Sequence, residues 1–477
     1  MNKFKLFVEN ILVYGLGGVI SKIIPLVMLP IVTRLMPDTA YFGLNDLVTT
    51  CSSFAGSVAI LGMFDGMYRM FFEHEDHNYQ KKVCSTTLIF TSISTVIVCI
   101  LLYIFRNVLA AYVFKNQQYV FLVYLVIVST LVSATNCIVS APTRMQNNRK
   151  LYLITNTLSS ILSYAVSIPL LVKGYYIIAL PIAAIISGIS LELIFGFINK
   201  KWFSITLFDS KILKDTLRIA LPLFPNFLVY WVFNSSDRIM ISNFASINDV
   251  GIYSIGAKLG HMSQLIYTAF SGGWLFFSFS TMKDKKQVEN NSLIFEYMGL
   301  ISYAVTSIVF ATSYFIYKHL FEGEYVLGYI IAPYLFLAPL LQMLFQIECN
   351  QFVIVKKTWP NVLLLSLGAV SNIVLNIILI PLMGVEGAAI ASLLGYIVTL
   401  VVTTIVLTKM KLIRISWKFY TASFLMLFYI IAWRFCATTN TLIGIGIMSI
   451  LLLFFLLLYY QDLKSFIKMI KNRNRDK

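Results

Sequence analysis

The chain has 477 residues, of which 58% are hydrophobic and only 12% are charged, and its mean hydropathy is +0.81. A soluble protein carries about a quarter charged residues, so the composition excludes a soluble enzyme or binding domain and favours an integral membrane protein. The formal net charge of +16 would suit a nucleic-acid-binding protein, but the positions of the basic residues indicate another cause.

Apolar windows of about 20 residues predict the membrane-spanning helices. The chain opens with basic residues and has no small-residue cleavage site before Lys22, so we expect the first span to be retained. The fold class expected is an all-α polytopic membrane protein with about 14 transmembrane helices. In chain order, the predicted spans are approximately 7–33, 43–70, 83–105, 119–141, 151–172, 176–198, 217–242, 250–278, 293–317, 329–353, 361–383, 387–408, 419–436 and 442–461.

The basic residues are distributed unequally between the two sides of these spans. The side that holds both predicted termini carries 28 of the 37 Lys and Arg residues, and the opposite side carries six. Such an excess in short loops marks the cytoplasmic side of a membrane protein. The sequence therefore predicts that both termini are cytoplasmic, and it explains the positive charge without a nucleic-acid partner.

An internal repeat indicates two similar halves. The segment "RLMPDTAYFGLNDL" (34–47) aligns with "SNFASINDVGIYSI" (242–255), which places Gly43 opposite Gly251. Parallel repeats of this kind usually have the substrate site between the halves. The domains expected are an amino-terminal lobe of six helices, a cytoplasmic linker, a second lobe of six helices, two extra helices and a basic cytoplasmic tail, at 1–198, 199–216, 217–408, 419–461 and 462–477.

Two stretches carry a resemblance to a known family. The first lobe begins "GGVISKIIPLVMLPIVTRLMPDTAYFGLNDLV" and the second begins "LRIALPLFPNFLVYWVFNSSDRIMISNFASINDVGIYSIGAKLG". Both resemble the halves of bacterial polysaccharide-export flippases, the O-antigen-type transporters of the multidrug/oligosaccharidyl-lipid/polysaccharide (MOP) superfamily. The resemblance extends over roughly 1–410.

This resemblance implies a flippase and not an enzyme. It implies that a polyprenyl-diphosphate-linked oligosaccharide moves from the cytoplasmic to the outer leaflet of the bacterial inner membrane by alternating access, through a cavity between V-shaped lobes. The partners implied are that lipid-linked substrate and membrane lipids, with a polysaccharide polymerase or other assembly proteins as further candidates. No cofactor and no nucleic acid are expected.

Three of the 37 Lys and Arg residues are assigned to neither side, because they lie well inside predicted spans: Lys22, Arg238 and Lys258. A charge at the bilayer centre costs about 2.5–3.5 kcal/mol on insertion scales, so each needs water, a partner or a ligand. We expect all three to form one patch for a diphosphate, although Arg238 and Lys258 lie near helix ends and can instead snorkel to the interface. Further candidate substrate contacts recur at helical spacing. Asn226, Tyr230 and Asn234 precede Arg238 in steps of four residues, and His261 is three residues after Lys258.

The acids inside predicted spans have separate interpretations. Asp237 is expected to be a charge partner that holds the cationic patch in shape, and Asp65, Glu192 and Glu348 are weak candidates for a coupling proton or sodium ion. A structural ion pair between Asp65 and Arg69 is the simpler interpretation for the first of these. Asn372 and Asn376 suit sugar hydroxyls or hydrogen bonds between helices. The six cysteines show no metal-site spacing.

Four prolines lie at repeat-related places in the first helix of each lobe. Pro25 and Pro30 fall in the first predicted span, and Pro222 and Pro225 in the seventh. Because proline removes a backbone hydrogen bond, these positions are either hinges for alternating access or static kinks.

Three other functions remain open from the sequence. A multidrug extruder of the same superfamily would favour acidic residues where Lys22, Arg238 and Lys258 occur. A membrane polymerase or acyltransferase would need a large outer loop or a polar catalytic set, and neither is evident. A flippase for the peptidoglycan precursor shares both the fold and the carrier lipid.

Overall fold

The computed structural model describes residues 23–146, 148–357, 359–462 and 464, and Lys22 lies outside them. Over these ranges every regular element is helical, which confirms the all-α class. The helices are α1 (Ile23–Leu35), α2 (Thr39–Ile60), α3 (Met63–Phe71), α4 (His77–Ile104), α5 (Arg106–Val113), α6 (Val120–Val139), α7 (Ala141–Met145), α8 (Arg149–Val172), α9 (Ala179–Asn199), α10 (Ser210–Trp231), α11 (Asp237–Phe244), α12 (Ile247–Gly260), α13 (Gln264–Ser280), α14 (Gln287–Leu320), α15 (Ala332–Ile354), α16 (Trp359–Met383), α17 (Val385–Lys409), α18 (Trp417–Cys436) and α19 (Thr441–Leu458).

Eleven helical segments within the described ranges are long and apolar enough to cross a membrane, or twelve if the bent pair α2–α3 is one span. Of the two remaining predicted spans, 7–33 lies largely outside the described residues, and its described part falls on α1, a shorter apolar helix. The other, 250–278, falls on α12 and α13, which a short 3-10 turn at His261–Ser263 separates. Fourteen is therefore an approximate count for a multi-pass membrane protein.

The side chains of α4 show that lipid is the solvent for this fold. Thr86, Thr87 and Thr91 are buried, whereas Ile97 and Ile100 are more than half exposed. A soluble helix would bury its isoleucines and expose its threonines. The opposite arrangement is stable in a bilayer because the apolar side chains contact acyl chains, while small polar side chains pack between helices.

A sharp break separates α2 from α3. Gly62 has a φ of +74°, which glycine adopts without strain. A Cβ atom at this position would also lie 2.6 Å from the carbonyl oxygen of Ala220 on α10. Glycine is therefore required twice, by its own backbone angle and by the neighbouring helix, and the two helices meet at 45°.

The seventh predicted span is continuous through its prolines. Pro222 and Pro225 both lie inside α10, and the span from Ser210 to Phe244 covers 35 residues. Its hydrogen-bond pattern changes further along, at a π-helical turn over Val232–Ser236, after which α11 begins. Pro25 and Pro30 lie within α1. The hinge role of all four prolines stays a prediction.

Contacts divide the chain into two compact units. The first contains the described residues up to Ile255 together with Phe321–Tyr325 and Leu365–Gly395, and the second contains the remainder. In the first unit, α3, α4, α6, α7 and α10 surround an apolar core that includes Met67, Cys84 and Trp202. In the second, most side chains of α15 are buried. The lobe boundaries expected from the repeat stay a prediction.

Candidate functional site

The candidate site lies in the first unit and is centred on Asp237 and Arg238, the first two residues of α11. The π-helical turn before them inserts a residue into the helical repeat, so the predicted four-residue spacing does not continue to Arg238. Asn234 is exposed whereas Arg238 is only 9% exposed. Asn234 and Arg238 therefore differ in exposure, and a substrate contact shared by the two stays a prediction.

Asp237 is enclosed by hydrogen-bond donors and is 1% exposed. Its Oδ2 atom accepts from the hydroxyl groups of Tyr253 at 2.5 Å and Ser392 at 2.6 Å. Its Oδ1 atom accepts from the amides of Asn376 at 2.7 Å and Asn372 at 3.5 Å. We call these five residues, which come from α11, α12, α16 and α17, the Asp237 cage.

The cage differs from the role expected for Asp237. Among the residues that the structure describes, the hydrogen-bond partners of this carboxylate are neutral, and Arg238 makes its ion pair with a different acid. Asn372 and Asn376 donate to Asp237, which is bonding between helices rather than an open site for sugar hydroxyls. The sequence had allowed both interpretations of the two amides.

Arg238 forms a buried ion pair with Asp46 on α2. The Nε atom of Arg238 lies 2.6 Å from Oδ2 of Asp46, and both side chains are 11% exposed. The same Oδ2 atom accepts from the hydroxyl of Ser254 on α12 at 2.6 Å. A terminal nitrogen of Arg238 donates to the backbone carbonyl of Asn234 at 2.6 Å. We call Asp46, Arg238 and Ser254 the ion-pair cluster.

Tyr253 connects the ion-pair cluster with the cage. Its hydroxyl donates to Asp237, and the guanidinium carbon of Arg238 lies 5.5 Å from the centre of its ring. An aromatic face at this distance attracts a cation. The arrangement thus keeps one buried positive charge and two buried negative charges within a single polar region.

The Asp237 cage contains oxygen atoms of the kinds that bind hard cations, although in this structure the carboxylate itself accepts from four donors. Besides the carboxylate and the Ser392 hydroxyl, it contains the Oδ1 atoms of Asn372 and Asn376, which have no hydrogen-bond partner among the described residues. Oxygen atoms of carboxylates and amides are the ligands that hard cations prefer. No cluster of three or more His, Cys, Asp or Glu side chains suited to a metal occurs in the described ranges.

The structure does not test the shared cationic patch. Lys22 is outside the described residues, and Lys258 and His261 belong to the second unit, where Lys258 is exposed and His261 is half-buried. The shared patch therefore stays a prediction. On α10, Asn226 and Tyr230 are half-buried.

The three carboxylates proposed for ion coupling occupy different environments. Asp65 and Glu192 are half-buried, and Arg69 pairs with Glu73 at 3.9 Å instead of with Asp65. Glu348 is 0% exposed and accepts from the hydroxyl of Thr404 at 2.5 Å. Its other oxygen has no hydrogen-bond partner among the described residues.

Two cavities lie in the first unit. One, of about 440 Å³, is lined by residues that include Arg34, Asp38, Asn248 and Glu324. The other, of about 620 Å³, is lined by residues that include Arg69, Lys82, Asp209 and Arg218. Neither is lined by Asp237 or Arg238. In the second cavity, backbone amides of Ile212 and Lys211, together with Lys82, lower the pKa of the Asp209 carboxyl.

The sequence is similar to one known protein family. The sequence matches the family described as polysaccharide biosynthesis protein over residues 7–283, more than half of the chain. The chain belongs to this family. No curated protein sequence is similar enough to count as a match.

The fold of this polysaccharide biosynthesis family member is shared with solved transporters. A lipid II flippase, MurJ, in an inward closed conformation has a TM-score of 0.71 and 17% identity, covering 95% of this chain and 99% of that one. A multidrug resistance MATE transporter of the MOP superfamily in an inward-facing conformation has a TM-score of 0.58 and 14% identity, covering 82% and 98%. An outward-facing MATE structure has a TM-score of 0.58 and 14% identity, covering 85% of this chain and 95% of that one. At these identities the likeness shows the fold alone.

Sequence reasoning missed Asp46, Tyr253, Ser254 and Ser392. Asp46 was recognisable only as an acid inside an apolar span, which requires a partner. Its partner is 192 residues away in the chain, so no spacing rule within one helix could identify the pair.

Proposed function

We propose that the protein is a flippase that translocates a polyprenyl-diphosphate-linked oligosaccharide from the cytoplasmic to the outer leaflet of a bacterial inner membrane, for the synthesis of a surface polysaccharide such as O-antigen, capsule or exopolysaccharide. The observation that carries this proposal is the match to the polysaccharide biosynthesis family on a chain with the fold of a lipid II flippase. The protein acts as a transporter, without enzymatic activity or a cofactor.

Arg238 supplies the charge that such a cargo needs. A diphosphate cannot enter hydrocarbon without losing its hydration, so cationic donors must replace the water. A guanidinium group matches phosphate oxygens with parallel hydrogen bonds. Arg238 lies inside a span of 35 residues, and its guanidinium group binds Asp46 and the backbone carbonyl of Asn234. Lys22 and Lys258 complete the patch in this proposal.

The charge distribution supports an orientation in the membrane. With 28 basic residues on one side and six on the other, both termini are cytoplasmic. The basic tail at 462–477, most of which lies outside the described residues, is then on the side of the anionic inner leaflet. Counted along its predicted span, Arg238 is in the outer half of the membrane in this orientation.

A multidrug extruder is the second candidate, and the Asp237 cage is the observation that favours it. A buried carboxylate with oxygen ligands suits cation-coupled export, and MATE transporters share the fold. The same cage is compatible with a flippase that uses an ion gradient, so function must be decided by the cargo.

A strain that lacks the gene tests the cargo. We expect loss of the surface polysaccharide and accumulation of lipid-linked repeat units inside the cell, measured by lipid extraction and gel analysis of surface polymer. Normal polymer with increased sensitivity to cationic drugs would contradict the proposal and favour the extruder. Lysis with accumulated peptidoglycan precursor would favour the alternative flippase.

A further inference from the structure

One carboxylate oxygen joins three helices in the ion-pair cluster. Oδ2 of Asp46 on α2 accepts from Arg238 on α11 at 2.6 Å and from Ser254 on α12 at 2.6 Å. By the repeat, α2 belongs to the first lobe, whereas α11 and α12 belong to the second. The cluster is therefore a contact between the two predicted lobes, inside a single compact unit.

The donor that Asp46 occupies is also the donor that suits a diphosphate. A guanidinium group has five N–H groups in one plane, and carboxylate and phosphate oxygens bind its edges with the same geometry. Asp46 lies on the Nε edge of Arg238, and the backbone carbonyl of Asn234 binds a terminal nitrogen. A phosphate oxygen on the Nε edge must replace the Asp46 carboxylate.

We propose that Asp46 is an internal competitor of the diphosphate, and that the cargo opens the contact between α2 and α11 by displacing Asp46 from Arg238. This inference rests on the proposed function. In the absence of cargo, Asp46 satisfies the buried charge of Arg238, which cannot be left unpaired in a membrane. When the diphosphate takes over Arg238, the positive charge remains paired and the link to α2 is lost.

The packing next to the cluster allows the helices to separate once the ion pair is exchanged. A Cβ atom at Gly43 would overlap the carbonyl oxygen of Ile247, and one at Gly251 would overlap that of Thr39. The two helices thus touch through their backbones, as small residues permit, and a side-chain hydrogen bond from Asn248 to Asp38 lies beside this crossing. The ion-pair cluster is one turn away from Gly43 on α2 and from Gly251 on α12.

If Asp46 competes with the diphosphate, substituting Asp46 should raise diphosphate affinity, whereas substituting a residue that binds the ligand should lower it. A ligand that must first displace an internal group binds more weakly than it would without that group. Removing the Asp46 charge should therefore tighten diphosphate binding, whereas removing the Arg238 charge should weaken it. A merely structural ion pair would leave affinity unchanged or lower it in both cases.

The test measures binding of farnesyl diphosphate to the full-length protein in detergent by isothermal titration, with farnesol as the uncharged control ligand. We expect Asp46→Asn to tighten binding about 10- to 100-fold, as for loss of a charge-assisted bond. Ser254→Ala, which weakens the hold on Asp46 and leaves Arg238 intact, should tighten it about two- to tenfold. Arg238→Gln should weaken it at least about tenfold.

Asp249→Asn is the matched control, because this acid lies on α12 close to the cluster and accepts from Ser246 at 2.6 Å. The Asp249→Asn variant should bind farnesyl diphosphate with the affinity of the wild type. If Asp46→Asn does not fold, Ser254→Ala decides the outcome. Unchanged or weaker binding in Asp46→Asn and Ser254→Ala, with binding still dependent on Arg238, overturns the competition and leaves the proposed function standing. No binding by the wild type overturns both.

Discussion

Asp237 and Arg238 are adjacent in the chain, yet they stabilise contacts on different sides of α11. Consecutive helical side chains point about 100° apart. Asp237 consequently reaches donors on α12, α16 and α17, while Arg238 reaches Asp46 on α2. One dipeptide thereby fastens α11 to four other helices, which is why two charges are placed in an apolar span.

The carboxylate of Asp237 should contribute more to stability than an amide of the same shape. Asp237→Asn replaces one acceptor oxygen by an NH₂ donor, which faces the donors of Tyr253 and Ser392 or of Asn376. We expect a loss of about 1.5–3 kcal/mol for the most strongly affected bond, measured as a lower thermal unfolding temperature in detergent. Ser392→Ala, which removes one donor, should lose about 1 kcal/mol. Equal unfolding temperatures for Asp237→Asn and the wild type would contradict the cage.

Some of these residues were predictable and others were not. Asp237 and Arg238 stand out because full charges are rare in an apolar run. The pairing of Arg238 with Asp46 required the tertiary fold, because the two residues are 192 positions apart. The π-helical turn at Val232–Ser236 was not predicted from the spacing of polar residues, since a constant four-residue period assumes a regular α-helix.

At the scale of elements, the crossing of α2 and α12 gives a physical reason for the internal repeat. The alignment placed Gly43 opposite Gly251, and the structure brings the two glycines to one crossing, where each backbone lies against the other helix. A side chain on either residue would force the helices apart. The repeat therefore preserves a site of close approach at equivalent places.

Substitution of Gly251 should destabilise this crossing. In Gly251→Ala the new Cβ would overlap the Thr39 carbonyl oxygen, and overpacking of this kind costs about 1–3 kcal/mol. The matched control is Gly446→Ala on α19, where a Cβ meets nothing within 4 Å and alanine is favoured over glycine by about 0.5–1 kcal/mol. Thermal unfolding of both variants tests this. An unfolding temperature of Gly251→Ala that equals or exceeds that of Gly446→Ala would contradict the crossing.

Helix positions followed from hydropathy, whereas helix interruptions did not. Within the described residues the predicted spans overlap observed helices, because length and apolar character are local properties. The break at Gly62 and the 3-10 turn at His261–Ser263 lie inside predicted spans and went unrecognised. Pro222 and Pro225 lie inside α10, which continues past both, and their role as hinges or static kinks stays a prediction.

At the scale of the whole molecule, the fold class followed from composition because a chain with 58% hydrophobic residues can satisfy its backbone in lipid only as helices or a closed barrel. Which helices pack together did not follow. Residues Leu365–Gly395 contact the amino-terminal part of the chain and contribute Asn372, Asn376 and Ser392 to the Asp237 cage. Periodicity within a helix carries no information on such distant contacts.

Transport in proteoliposomes tests the central claim most directly. The purified protein is reconstituted with a fluorescent polyprenyl-diphosphate-linked oligosaccharide, and the fraction that reaches the opposite leaflet is measured by its accessibility to a membrane-impermeant quencher. We expect translocation by the wild type and by Lys173→Glu, a control at an exposed position. For Arg238→Glu we expect a translocation rate below about a tenth of the wild-type rate. Translocation no faster than in protein-free liposomes, or full activity of Arg238→Glu, would contradict the assignment of Arg238 to a diphosphate pathway.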